Sequence, residues 1–411
     1  MTARDFRCAG ARRVGLALGA ATLLCLAAPA GAQLSDTDRA RRIHDRIAGV
    51  PPSAETLSAM VADLGGGNVM QAASRAIGHP DFYRVTLKNL VTPWTNEEMT
   101  AFAPLNDYTA TVIGMVRDDE DFRQILSGDI LYVGGSGLPA YTRDSNELYE
   151  ELEREADPAT GKPYDLGDPN VLVRRSQSGV TGLPAQATAG VMTTRAAARA
   201  FFSAGTNRAM LRFTVLNHLC RDLEQMKDGS LPPDRIRQDV SRSPGGDSRI
   251  FLNNCVGCHA GMDPVAQAFA FYEFEYAGDI DSGRIVYTDR QVQPKYLIND
   301  QNFAPGYITT DDGWDNYWRR GVNASLGWGP GSGSGAGAKS LGQELAHSQA
   351  FAQCQVRKVF RAVCLREPAS DTDRTAFQSM VSAFKSGTAQ WQGPYNLKNP
   401  FAQAAAHCTQ P

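Results

Sequence analysis

The run Cys255, Val256, Gly257, Cys258, His259 constrains this chain more than any other stretch. Two thiols three positions apart, with an imidazole directly after, is the spacing at which each thiol can add to one vinyl group of a porphyrin while the ring nitrogen falls under the iron. The expectation is one covalently bound haem c per chain, with Cys255, Cys258 and His259 as cofactor-binding residues and His259 as the metal ligand. Its other ring nitrogen is expected to be held by a neighbouring acceptor. A structural zinc site is the first competing reading, and it requires a second paired set of Cys or His ligands that the sequence does not repeat elsewhere. A thioredoxin-like pair is the second, and it would sit at a strand-to-helix junction, whereas residues 247 to 275 read as helix, turn, helix.

The beginning of the chain fits an exported haem protein. Arg4, Arg7, Arg12 and Arg13 form a basic start, Val14 to Ala28 is apolar, and Ala30, Gly31 and Ala32 supply the small-x-small pattern of a cleavage site. Residues 1–32 therefore read as a signal peptide removed near Ala32, placing the mature protein in the periplasm or outside the cell. Arg12 and Arg13 weakly resemble a twin-arginine signal, and Cys25 lacks the small residues that precede a lipid-modified cysteine. No later segment approaches the length of a membrane-spanning helix. Without residues 1–32, 37 basic and 43 acidic side chains remain, a net charge of about −6, with the two signs interspersed. That balance gives no reason to expect nucleic acid as a partner.

The rest of the chain reads as mainly α. Residues 33–126 are expected to form an N-terminal helical domain: Ser35 with Asp38 resembles a capping box, Pro51 and Pro52 break the first helix, and Ser53 caps a second that ends at Gly65 to Gly67. Helices are expected at 81–90 and 105–116, with a short successor at 118–126. Residues 127–190 read as an irregular connecting region with one strand at Ile130 to Val133 and a charged surface helix at 145–154. Residues 191–411 read as the c-type haem domain. In it, one helix runs from a Thr193 or Thr194 cap to Phe202 and another from Thr206 through Met226. Arg208 and Arg212 lie one turn apart on that second helix, where either can pair with a haem propionate or both can lie on a solvated face. Met262, Asp263 and Pro264 are read as the start of a helix carrying Phe269, Phe271, Tyr272, Phe274 and Tyr276. A small β-hairpin is expected from Arg284–Tyr287 and Gln291–Leu297, a helical face shared by Trp314 and Trp318, and a flexible Gly/Ser loop at 329–337. Helices are expected at 341–365, 370–385 and 398–407.

Four cysteines remain after the motif and residues 1–32 are set aside, an even number in an oxidising compartment, so two disulfides are expected. Cys354 and Cys364 are ten residues apart on one expected helix, about 15 Å of rise against a disulfide reach of about 7 Å. Each must then pair with Cys220 or Cys408. For the position opposite His259 the candidates are His347, His218, Met192 and Met262, or no protein ligand at all. A methionine favours a high potential, a histidine a lower one, and an open position permits ligand or peroxide chemistry.

Four stretches carry a family resemblance: Arg46 to Ser53, Asp121 to Leu126, the Cys255 to His259 site followed by Met262, Asp263 and Pro264, and Ser348 to Cys354. Together they resemble the planctomycete-type c-type cytochrome proteins, exported haem domains with a single attachment motif. The resemblance implies a mostly helical, cytochrome-c-like haem protein with haem on Cys255, Cys258 and His259. Three functions follow as expectations. The first is single-electron transfer to a redox partner protein. The second is a haem peroxidase or oxygenase with an open distal site, and the third a binding protein in which haem is structural.

Overall fold

A computed structural model describes residues 34–154, 160–203, 205–278 and 281–410. The expected signal peptide, 1–32, lies outside the described residues. The described residues begin with three helices, α1 (Asp36–Ala48), α2 (Ala54–Gly65) and α3 (Val69–Ile77). Ser35 and Ser53 cap the first two as their spacing predicts, each accepting a backbone N–H three residues on. A π-helical turn, Phe82–Leu87, leads into α4 (Lys88–Val91), followed by α5 (Asp107–Arg117), β1 (Leu131–Gly134), α6 (Glu147–Glu153), β2 (Leu172–Arg175) and α7 (Gln177–Thr181). β1 and β2 pair antiparallel, Leu131 opposite Arg175. The helix over 145–154 is only half a surface helix, since Leu148, Tyr149 and Leu152 are buried beneath its acidic face.

Next come α8 (Arg195–Phe201) and α9 (Arg208–Leu219), then α10 (Ser248–Ile250), a second π-helical turn (Phe251–Cys255) and α11 (Val256–Ala266). Three further pieces complete the middle of the chain: the pair β3 (Tyr272–Tyr276) and β4 (Gly283–Tyr287), β5 (Gly313–Asp315), and β6 (Ser334–Ala336), which pairs with β5. Four helices close the fold, α12 (Gly337–Ala346), α13 (Gln349–Cys364), α14 (Asp371–Ser386) and α15 (Lys398–Cys408). The protein is thus mainly helical, with three two-stranded antiparallel sheets among the described residues. Stretches 33–126 and 191–411 contribute to one continuous hydrophobic core: α15 packs on α1 and α3 as well as on α13 and α14. No helix among the described residues is long and apolar enough to cross a membrane.

Several sequence expectations are corrected. α9 ends at Leu219 rather than running to Met226, because Cys220 turns left-handed at φ 53° and is tied to Cys354. The expected 341–365 helix is two helices: His347 closes α12, and the Ser348 side chain accepts the Phe351 N–H to start α13. Of the aromatic row only Phe269 is helical, in a 3-10 turn at Gln267–Phe269. Pro264 has no N–H to donate and the helix ends two residues later, after which Tyr272, Phe274 and Tyr276 lie on strand β3. β4 pairs with that strand and not with 291–297, where Pro294 opens a 3-10 turn. Trp314 lies on β5 and Trp318 on a 3-10 turn, so they share no helix. Part of the Gly/Ser loop is strand β6.

Two disulfides, Cys220–Cys354 and Cys364–Cys408, have Cα separations of 5.3 and 5.5 Å. They realise one of the two connectivities left after a Cys354–Cys364 bridge is excluded. The first ties α13 to the end of α9, and the second ties α13 to α15.

Candidate functional site

The motif is built on the joint between the second π-helical turn and α11. In that turn the Val256 N–H reaches back five residues to the Phe251 carbonyl. The wider winding sets the stretch before Cys255 apart from the α-helical stretch after it, as π-turns at functional sites commonly do. Lys227 and Asp228 fasten this joint from outside. The Lys227 stem crosses Gly257 so closely that a Cβ there would stand 2.7 Å from the Lys227 Cγ, and the Lys227 ammonium donates to the Asn253 carbonyl. The Asp228 N–H donates to the Gly257 carbonyl at 2.9 Å. A side chain in the middle of the motif would therefore have to displace the Lys227 stem. On another face, Trp318 lies where a Gly261 side chain would be.

Cys255 and Cys258 are the two cysteines among the described residues that are not in disulfides, and both are partly accessible. Burial pushes the Cys258 thiol up, which favours the neutral form. The His259 ring is 20% exposed, and its Nδ1 lies 3.1 and 3.2 Å from the two oxygens of Asp263, one helical turn further along α11. Among the described residues Nε2 has no protein partner.

Asp263 is fully buried and heavily bonded. Arg208 on α9 grips it with Nε and Nη2 at 2.8 and 3.0 Å, and also grips Asp239 with Nη1 and Nη2 at 2.6 and 3.0 Å. The Arg237 backbone N–H adds a longer contact to Asp263 at 3.3 Å. Burial alone would raise the Asp263 pKa. Arg208, the His259 hydrogen bond and Arg237 outweigh it and hold the carboxyl well below the usual carboxylate range. For Arg208, burial opposes the charge, and the two carboxylates more than restore it. Of the two readings open for these arginines, a propionate partner or a solvated face, Arg208 takes neither and serves the protein's own carboxylates, whereas Arg212 lies on the accessible face and pairs with Asp222 at 2.7 and 2.9 Å.

The sequence reading anticipated an acceptor behind His259 without naming it. A helix drawn to start at Met262 separates His259 from Asp263, whereas the continuous α11 makes them an i, i+4 pair. Beside the π-turn an apolar cleft of about 420 Å³ is lined by Phe251 and Leu252 with Ile236, Arg242, Phe303 and Tyr307. None of the three motif residues lines it.

The candidates for the far side of the iron are scattered. His218 is buried, with Nε2 2.9 Å from the Tyr108 hydroxyl and Nδ1 3.5 Å from Gln355 Nε2, so both ring nitrogens face protein groups. Met192 lines the same tight space, with Trp94 and Tyr108 and no residue of α11. His347 binds the Gln343 carbonyl through Nδ1 at 2.7 Å and borders the loop at 329–334. Met262 is on α11 itself, three residues beyond His259.

The donor set suits a covalently attached haem. Two thiols are free of disulfides, and the following imidazole has one nitrogen anchored and the other without a partner. Among the described residues no three His, Cys, Asp or Glu side chains converge as ligands of a single ion. A haem needs no such convergence, because the thiols bond to the porphyrin rim and only the imidazole binds metal. Compared with protein-family models, with curated proteins and with solved structures, the chain finds no match.

Proposed function

We propose that this chain is an exported monohaem c-type cytochrome, a mainly helical cytochrome-c-like protein that passes single electrons to a redox partner protein. The observation that carries the reading is the pairing of two disulfide-free thiols with an imidazole already oriented from behind. Cys255 and Cys258 would hold the group by thioether bonds, and His259 would bind its iron through Nε2. When bound, haem supplies one-electron chemistry at iron. The chain's own contribution is to keep the imidazole from rotating, through Asp263, and to brace the motif turn, through Lys227 and Asp228. Two disulfides agree with an oxidising compartment, the periplasm or the exterior, as does the signal-like segment at 1–32. The resemblance to planctomycete-type c-type cytochromes points the same way.

One observation favours the second reading, peroxide or oxygen chemistry at an open position. A carboxylate behind the proximal imidazole strengthens it as an electron donor, and strong proximal donation favours O–O cleavage. An absorption spectrum of the exported protein, with a pyridine haemochrome assay and carbon monoxide addition, tests both. Covalent haem with a low-spin spectrum indifferent to carbon monoxide is expected for the carrier. High-spin iron that binds carbon monoxide would move the reading to catalysis. Cys255→Ser is expected to weaken haem retention, and full covalent haem in that variant would overturn the assignment.

A further inference from the structure

We infer that Asp263, clamped by Arg208, is a positioning residue that fixes the His259 ring and sets its strength as an iron donor, an inference that rests on the haem reading above. Both Asp263 oxygens already accept from the Arg208 guanidinium, and Oδ2 faces the Arg237 N–H as well, so the hydrogen bond to His259 is donated from Nδ1 and the lone pair is left on Nε2. The carboxylate has no freedom to retreat. It is 0% exposed, Oδ1 faces Arg208 Nε and His259 Nδ1, and Oδ2 faces Arg208 Nη2 and the Arg237 N–H. Arg208 is anchored in turn by Asp239, whose Oδ1 also lies 3.8 Å from Arg237 Nε.

The two groups act on His259 in opposite senses. A buried carboxylate draws the Nδ1 proton toward itself and makes Nε2 a stronger donor, which stabilises the more highly charged metal and lowers the reduction potential. Arg208 competes for the same two oxygens and moderates the effect. A residue that merely packed the helix would give no such opposition.

The test uses the full chain matured with covalent haem, whose attachment is verified by mass in every variant, followed by equilibrium redox titration. Asp263→Asn keeps shape and removes charge. It is expected to favour the reduced form by about tenfold, a rise of about 59 mV for a one-electron couple, with Asp263→Glu restoring most of the original value. Arg208→Lys keeps a charge but loses the two-pronged grip, and its potential is expected to fall. If Asp263→Asn does not accumulate as folded protein, Arg208→Lys decides alone, a fall supporting the inference and an unchanged or higher potential overturning it. Haem attached throughout with Asp263→Asn unshifted overturns this inference and leaves the functional reading standing. Wild-type protein without covalent haem overturns both.

Discussion

Around Cys354 and Cys408 helix lies against helix: α13 is flanked by α9, α14 and α15, its inner face is Phe351, Val356, Val359, Phe360 and Val363, and two disulfides pin it, one within its first half at Cys354 and one at its last residue, Cys364. Around His259 the order is of another kind. Among the described residues between Lys227 and Ala336 the chain is short turns and three-to-five-residue strands around α11, with ion pairs gathered about the motif helix. Arg208, Arg237, Asp239 and Asp263 form one largely buried cluster, and Arg235 bonds Asp315, Gln267 and the Gly313 carbonyl in a second, partly exposed one. Apolar packing tolerates small adjustments, because dispersion and burial are non-directional. A buried ion network does not, because each member left unpaired carries its full desolvation cost. The frame gives bulk stability, and the motif region gives fixed orientation.

Cutting the crosslinks tests the frame and has the largest expected effect. Replacing Cys220 and Cys354 with Ser opens a loop of 134 residues and is expected to cost about 5 kcal/mol, against about 4 kcal/mol for the 44-residue loop of Cys364 and Cys408, read from urea unfolding. Negligible losses would mean that the frame does not depend on its staples, and equal ones that loop length does not set their contributions. Removing a single charge tests the motif region. Arg208→Met leaves the buried Asp263 and the largely buried Asp239 without their shared cation and is expected to cost about 3–5 kcal/mol by the same measurement. A loss below about 1 kcal/mol would erase the contrast between the two regions.

Gly261→Ala sharpens the comparison on a smaller scale, since its Cβ would stand 2.0 Å from Trp318 Nε1 and the indole must move, at about 1–3 kcal/mol. The smallest effect is a pH slope in the frame. Burial, with Lys358 adding to it, holds the His218 pKa well below its ordinary value, so the folded protein keeps this ring neutral. The unfolded ring takes up a proton below about pH 6.5. The contribution is therefore full above that pH and lost as pH falls, by up to about 1.4 kcal/mol per pH unit. His218→Gln is expected to flatten this slope in unfolding curves recorded from pH 7 to 5.

Local chemistry was legible in the sequence wherever one signal stood alone. Ser35 and Ser53 cap helices as their positions imply, Thr194 is the cap of the two candidates Thr193 and Thr194, and ten residues of helix between Cys354 and Cys364 ruled out their pairing. Reading failed where two signals overlapped. The alternation Tyr272, Glu273, Phe274, Glu275, Tyr276 has the two-residue period of a strand, yet it was masked by the aromatic density of its odd members. Pro264 looked like a helix start and is instead near a helix end, and that displacement hid the His259–Asp263 pair. Asp239 and Arg208, 31 residues apart in sequence, meet only through tertiary folding, so no local pattern announces the cluster.

The Cys220–Cys354 bridge encloses the motif within a closed ring of chain. In the unfolded polypeptide Cys255 and Cys258 are never more than about 11 Å apart, whereas Cys220 and Cys354 must meet across 134 residues. An oxidant acting before folding strikes the near pair first and consumes both thiols that thioether formation needs. On the haem reading, maturation is thus a race with a required order. Either the motif thiols are kept reduced until the porphyrin is attached, or the long ring is closed by an agent that passes over the shorter one.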